Sequence, residues 1–472
     1  MIKQGVNPYL PSWEYVPDGE PHLFQDRVYV YGSHDRFNGH AFCLNDYVCW
    51  SAPADHLTDW RYEGVIYEKT NDPLNQDGQM CLYAPDVTLG PDGRYYLYYV
   101  LDKVSVVSVA VCDTPAGKYE FYGYVRYADG TLLGERGGDQ PQFDPAVLLE
   151  EDQVYLYTGF CAKGDRTRKG AMATVIGPDM LTIKEEPVII VPSEPFSEGT
   201  GFEGHEFFEA PSIRKRGDMY YVVYSSVVMH ELCYATSHHP TKDFTYRGVI
   251  VSNNDLHIDT YKPADKPTYY GGNNHGGMVE VNEQWYIFYH RHTNGTSFSR
   301  QGCFEPISFL EDGTIPQVEI TTSGPNCGPL IGQGEYPTYL ACNLFTNIDE
   351  QYTGSFGAWM DGRFPKITQD GKDGDEEIGY IANMQDSAVA GFKYFHCEGI
   401  KRVKIKTRGY ARGSFEVRTD WNGPSLGSIP IDFTNIWTTY TAEIAIPDGD
   451  HALYFQYKGM GNASLASFTL ES

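Results

Sequence analysis

Positive charge is scarce in this chain: 36 Lys and Arg face 63 Asp and Glu, a formal net charge of −27 at pH 7. Nucleic-acid binding needs basic patches that displace counterions, and anionic membrane surfaces recruit Lys/Arg clusters, so the balance argues against both partners. Long hydrophobic runs are missing too. No stretch of about 18 apolar residues could span a bilayer. The start, Met-Ile-Lys-Gln-Gly-Val-Asn-Pro, carries no apolar region of a secretion signal, so the expected location is cytoplasmic. The ten cysteines form no Cys-x-x-Cys pair and no Cys/His cluster at zinc spacing. They read as mostly buried free thiols, and the sequons at Asn294 and Asn462 as chance matches. No Gly-x-Ser-x-Gly elbow, Walker loop, paired-glycine dinucleotide fingerprint or His-Glu-x-x-His occurs, so no organic cofactor is expected. Helical patterning is sparse throughout.

What the chain has in abundance is 37 Tyr and 49 Gly, the material of many short strands joined by tight turns. Five aromatic segments alternate with period two: Arg27–Gly32, Arg94–Tyr99, Gln153–Thr158, Met219–Tyr224 and Gln284–Tyr289. Aligned on Tyr29, Tyr96, Tyr155, Tyr221 and Tyr286, they are spaced by 67, 59, 66 and 65 residues. Such a period accommodates about four short strands with their loops, which is one propeller blade. The fold class predicted is all-β: a five-bladed β-propeller over residues 1–320. A β-sandwich whose strands are alike only in composition is the alternative.

A second regularity lies inside the first. Ten to twelve residues before the aligned tyrosines stand Asp18, Asp86, Asp144, Glu209 and His275. Equivalent positions in a propeller are related by rotation about one axis, so four carboxylates and an imidazole are expected to converge on the channel mouth. Like charges packed there push one another's pKa values apart, a cost that points to function. Taken singly, any of these Asp residues could merely cap a turn. Separated carboxylates without a serine or cysteine nucleophile motif point to glycoside hydrolysis, in which one acid protonates the leaving oxygen and an opposing carboxylate activates water or attacks carbon. Trp13, Tyr15, Tyr83 and Phe202 could stack on sugar faces, with strand packing as their other reading. The acidic run Asp370–Glu377 lacks calcium-loop spacing and reads as a solvated loop.

The five-blade pattern with Asp18, Asp144 and Glu209 in blades one, three and four resembles glycoside hydrolase family 43. The resemblance implies an inverting mechanism with Asp18 as general base, Asp144 as pKa modulator and orienter, and Glu209 as general acid. Asp18 stands in Asp-Gly-Glu-Pro where the family often has Asp-Pro, which leaves Glu14 and Glu20 as rivals. His275, in Asn-His-Gly-Gly, matches the family's channel histidine, which often helps hold a hydrated calcium ion; a histidine hydrogen-bonded in the channel without metal is the alternative. Arg300 is similar to an arginine that the family aims at sugar hydroxyls, with Arg291 as rival, and Asp86 matches an Ala-Pro-Asp motif as support or substrate contact. Asp86, Arg300, Trp13 and Tyr83 are thus the expected substrate-binding residues.

After the propeller, residues 321–345 read as a linker and 346–472 as a second, β-sandwich domain. Gly449-Asp-His-Ala-Leu-Tyr-Phe455 and Trp437 resemble a family 6 carbohydrate-binding module, with Trp421 and Tyr380 as candidate platforms. The expected activity is that of an α-L-arabinofuranosidase acting on plant-cell-wall arabinoxylan oligosaccharides. β-Xylosidase and arabinanase are the alternatives within the family, and a non-catalytic carbohydrate-binding protein is the alternative outside it.

Overall fold

The computed structural model describes residues 4–346 and 364–472, apart from Asp152. Residues 347–363, within the stretch assigned to the second domain, lie outside the described residues. Blade one comprises β1 (Glu20–Phe24), β2 (Arg27–Tyr31), β3 (Tyr47–Pro53) and β4 (Arg61–Tyr67). Blade two comprises β5 (Asp86–Leu89), β6 (Tyr95–Tyr99), β7 (Ser108–Cys112) and β8 (Glu120–Tyr124). Blade three is β9 (Ala146–Glu150), β10 (Gln153–Thr158), β11 (Gly170–Ile176) and β12 (Ile183–Pro192). Blade four is β13 (Phe207–Arg216), β14 (Met219–Ser226), β15 (Glu231–Ser237) and β16 (Thr245–Ser252). Blade five has three strands among the described residues, β17 (Met278–Val281), β18 (Gln284–His292) and β19 (Arg300–Ile307). Strands adjacent in sequence pair antiparallel within every blade. The first strands, β1, β5, β9, β13 and β17, touch one another in a closed ring around the axis.

All five aligned tyrosines fall in the second strand of a blade, and the tyrosine excess has a structural cause. Two positions beyond the first three stand Tyr31, Tyr98 and Tyr157, each fully buried. Their hydroxyls donate to Pro115 O (2.7 Å), Met180 O (2.8 Å) and Pro240 O (2.8 Å). Each acceptor sits in the turn between the third and fourth strands of the following blade. One residue type thus buries a large ring between blades and satisfies its polar tip on the neighbour. The ring is closed by contacts near its two ends. Asn7 Nδ2 donates to Phe304 O (3.0 Å) and Glu305 Oε1 (2.9 Å), while Gly19 and Gly276 form a parallel bridge.

The stretch expected to be a linker is largely part of the second domain. It carries β20 (Leu330–Ile331), β21 (Gly334–Pro337) and β22 (Asn343–Thr346). These are short strands rich in turn formers, which show no periodicity and exist because longer strands pair with them. The other described strands of this domain are β23 (Lys366–Thr368), β24 (Tyr380–Met384), β25 (Ala388–Cys397), β26 (Arg402–Gly409), β27 (Ala411–Arg418), β28 (Gly427–Ile431), β29 (Thr434–Glu443), β30 (Gly449–Gly461) and β31 (Ala463–Glu471). They form two six-stranded sheets, β20-β25-β30-β27-β28 with β22 beside β25, and β23-β24-β31-β26-β29 with β21 beside β31.

The two domains share one hydrophobic core, running from Tyr221 and Ile287 to Phe392 and Phe468. At this junction Lys393 Nζ, fully buried, pairs with Asp255 (3.1 Å) and Glu319 (2.9 Å). The acidic run is not simply solvated. Asp373 accepts from Phe37 N (2.7 Å) and Asp370 from Arg408 (2.8 Å), so the exposed loop is pinned at both places. All ten cysteines are free thiols, and Cys327 is exposed.

Candidate active site

The inner strands place the carboxylates. Asp18 and Asp144 each stand two residues before a first strand, and each adopts the left-handed backbone region, with φ of 58° and 45°. That region costs about 1 kcal/mol for a residue with a Cβ, least for Asp and Asn. The same device at the same repeat position turns both side chains out of the ladder into one cavity. Glu209 lies inside β13, where the register shifts on both sides of it and Ala210 takes φ 65°. A bulge re-aims a side chain in this way. His275 stands three residues before β17.

Asp18, Asp144, Glu209, His275, Arg300 and Tyr83 together line a cavity of about 420 Å³. Asp18 and Asp144 are almost fully buried. Burial opposes a charge on Asp18, but Arg300 Nη1 at 2.9 Å and His290 Nδ1 at 3.2 Å outweigh it and hold the carboxyl well below the usual range. Arg300 is itself locked: Nε and Nη2 grip the two oxygens of buried Asp35 at 2.8 and 2.9 Å, and the guanidinium lies 4.8 Å over the Phe42 ring. Glu209 is pushed the other way, to about 8, by burial and then by the charge on Asp18. Asp144 is also driven upward, by burial and then by Glu209 and Asp18. Its Oδ2 accepts from Ala210 N (3.2 Å), which fixes the peptide that follows Glu209. His275 is pushed down to about 4 by burial and is neutral at pH 7; its Nδ1 faces Asp18 at 3.9 Å and Asp144 at 3.8 Å.

Several expected residues lie elsewhere. Asp86 does not line the cavity: it is fully buried, held by Val87 N (2.7 Å), His22 Nε2 (2.6 Å) and Val147 N (2.7 Å), the last of which ties blade two to blade three. Trp13 lines a different cleft, formed with the second domain. Tyr15 is buried with its hydroxyl on Gln369 Oε1 (2.7 Å), and Phe202 belongs to the core of blades three and four. Glu14 is held by His34 (2.9 Å) and Trp50 Nε1 (3.0 Å), so it is no rival base. Glu20 turns down the channel to Arg214 (2.9 Å) and Ser212 (3.0 Å). Arg291 reaches Ala341 O (2.8 Å) and Tyr339 O (2.5 Å), joining the domains. Of the candidate platforms on the sandwich, Trp421 packs on Phe345 at 6.0 Å and Tyr380 lines the same cleft as Trp13.

Sequence reasoning missed Asp35 and His290, the partners of Arg300 and Asp18, and the aromatic wall. Tyr83, Phe143, Phe160 and Phe208 form a chain of tilted ring contacts, each 5.3 Å between centroids. Phe143 and Phe208 immediately precede Asp144 and Glu209, an aromatic–acid doublet that an alignment of the repeats contains.

The channel beneath the acids has a donor set that suits a hydrated hard cation. Glu20 Oε1 is buried with no hydrogen-bond partner among the described residues and lies 3.9 Å from His275 Nε2. Burial pushes the Glu20 carboxyl up to about 8, a strain that a cation would relieve. Glu20, His22 and Asp86 present ligand atoms within 4.8 Å of one another.

Two acids driven in opposite directions inside an aromatic-walled cavity are the equipment of acid–base glycoside cleavage, and the class this fold and site define is a glycoside hydrolase. More narrowly, the chain belongs to the glycosyl hydrolases family 43, whose family model matches residues 21–315. A xylosidase/arabinosidase of Thermoclostridium stercorarium is 77% identical over 470 residues, spanning 100% of this chain and 99% of that protein. A family 43 arabinoxylan arabinofuranohydrolase of Bacillus subtilis, solved with cellotetraose, is similar in fold over 100% of this chain and 98% of its own, at 20% identity and a TM-score of 0.53. A β-xylosidase/α-arabinofuranosidase from a compost metagenome, solved with xylotriose in a calcium-free form, covers 67% of this chain and 98% of its own, with 25% identity and a TM-score of 0.52.

Proposed function

We propose that the protein is an inverting glycosidase that removes α-L-arabinofuranosyl groups from arabinoxylan oligosaccharides and also cleaves β-D-xylosides. The observation that carries the mechanism is geometric: Asp18, ion-paired with Arg300 at 2.9 Å, and Glu209 line one cavity, a setting that drives their carboxyls in opposite directions. Asp18, kept ionised by Arg300, takes a proton from water as the water oxygen bonds the anomeric carbon. Glu209, kept protonated at neutral pH, gives its proton to the glycosidic oxygen as the carbon–oxygen bond breaks. Asp144 positions the acid through the Ala210 amide and, by its own reluctance to ionise, keeps the pair from losing both protons. The family match begins three residues after Asp18, so the base assignment rests on geometry.

The substrate class is supported by the 77%-identical xylosidase/arabinosidase, which spans the whole chain. Arabinofuranose and xylopyranose present similar hydroxyl patterns, which suits one cavity to both. Glu20 and His275 would hold a calcium ion; when bound, it would supply positive charge beneath the acids. The test is proton NMR of the first-formed sugar from nitrophenyl α-L-arabinofuranoside and β-D-xyloside. Inverted anomers are expected. A retained anomer refutes Asp18 as base, and no turnover of either substrate refutes the glycosidase reading.

A further inference from the structure

Blade four gathers a second set of metal-ligating side chains, chemically unlike the set in the channel beneath the acids. His205, Glu231 and Cys233 bring an imidazole nitrogen, a carboxylate oxygen and a sulfur within 4.8 Å of one another. None of the three lines the catalytic cavity, and the mechanism uses none of them.

The strand builds half of the set. Glu231 and Cys233 stand two residues apart in β15, so their side chains leave the same face. His205 comes from the segment that leads into β13, and its backbone is held on both sides. Its N donates to Phe202 O (2.9 Å), and its O accepts from the Tyr224 hydroxyl (2.7 Å). The Tyr246 ring stacks on the imidazole at 4.8 Å and 13°, which fixes its plane. Ser226 Oγ donates to Glu231 Oε1 (2.6 Å) and orients the carboxylate. Side chains that hold metals are usually oriented by neighbours in this way.

The distances come close to those around a tetrahedral ion. Metal bonds of about 2.0–2.3 Å at tetrahedral angles put ligand atoms about 3.3–3.6 Å apart. Cys233 Sγ lies 3.3 Å from Glu231 Oε1 and 3.8 Å from His205 Nδ1. His205 Nδ1 and Glu231 Oε1, hydrogen-bonded at 2.7 Å, have to open by about 0.6 Å. His205 is a third exposed while Glu231 and Cys233 are buried, so an ion can arrive past the imidazole and keep a water as its fourth ligand. The sulfur decides the kind of ion, because calcium and magnesium take oxygen ligands and a thiolate selects softer metals. We propose that His205, Glu231 and Cys233 form a binding site for a divalent transition-metal ion of the zinc class, which fastens the segment before β13 to β15. On binding, the Cys233 thiol proton leaves to solvent, and the proton on His205 Nδ1 moves to Nε2 or to solvent. One carboxylate and one thiolate then cancel the two positive charges of the ion, so no net charge is buried.

The test titrates the full chain carrying Cys327→Ser, which removes the exposed thiol, with cobalt(II) in excess calcium, so that the channel beneath the acids does not compete. One cobalt per chain is expected, with a sulfur-to-cobalt charge-transfer band in the near ultraviolet that zinc abolishes by displacement. Adding Cys233→Ser should remove the band. His205→Gln keeps a hydrogen-bond donor for Glu231 and alters the more exposed ligand, so it tests the site even where Cys233→Ser folds poorly. It should weaken cobalt binding by about tenfold to a hundredfold, the scale on which even the outer partners of metal ligands act. Zinc should raise the melting temperature of the parent and leave that of His205→Gln nearly where it was. No charge-transfer band in the parent, the same band in Cys233→Ser, or an equal zinc response in the parent and His205→Gln overturns the proposal.

Discussion

The protonation of Glu209 is the quantity on which the mechanism turns, and Glu209→Ala tests it. With the carboxyl held at about 8, about nine-tenths of it is protonated at pH 7. At an ordinary glutamate value of 4.5 the fraction would be about 0.003, so burial and the Asp18 charge supply about 300-fold in available acid. Removing the side chain should therefore cost about 10²–10⁴ in kcat/KM for leaving groups that need a proton, such as a xylose hydroxyl or methanol. Dinitrophenolate leaves without one, and its glycosides should lose about tenfold or less. The pH profile gives a second reading. The acid form is the active form, so wild-type kcat/KM should fall as pH rises through about 8, and the limb should vanish in the variant. Equal losses on both leaving groups, or a limb that persists near 8 in Glu209→Ala, would refute the assignment.

Arg300→Ala should destabilise the protein by about 3–5 kcal/mol in urea melts, because it strands Asp18 and Asp35 as buried unpaired carboxylates; a change below about 1 kcal/mol would show that the pair is not held as described. Glu305 gives a pH effect on stability. Burial pushes it up to about 8 from 4.5, so its contribution is full below about 4.5 and is lost as pH rises through about 8. Glu305→Gln should flatten the decline in melting temperature across that window, and an unchanged slope would exclude Glu305 as its source. Calcium should raise the melting temperature of the wild type, by about 2.7 kcal/mol in stability at a hundred times Kd. It should do little for Glu20→Gln, and an equal rise in both would place the ion away from Glu20.

Much of this molecule is written locally. Alternating strands announce themselves through period-two aromatics, and the blade repeat through five tyrosines at near-constant spacing. The positions of Asp18, Asp144 and Glu209 follow from that register, since an offset within a repeat survives folding as a place on the axis. Asp86 shows the limit. Its offset of ten residues is within one of theirs, yet as the first residue of β5 in regular backbone it stays out of the cavity, whereas Asp18 and Asp144 precede their strands with positive φ. A two-residue difference at a strand end decides which acid sees the cavity, and no composition or spacing signal records it.

The sequence by itself determined the all-β class, the five-fold repeat and the acids that stand at its inner edge, because these depend on residues close in the chain. Only the tertiary structure decided their charge states. Arg300 lies 282 residues from Asp18 and Asp35 lies 265 from Arg300, and a pKa is set by distance in space and by burial. It also decided the role of residues 330–346, whose short strands exist only when the longer strands of the sandwich offer them an edge, and of Trp13 and Tyr380, which face each other's domain across a cleft that neither segment encodes alone.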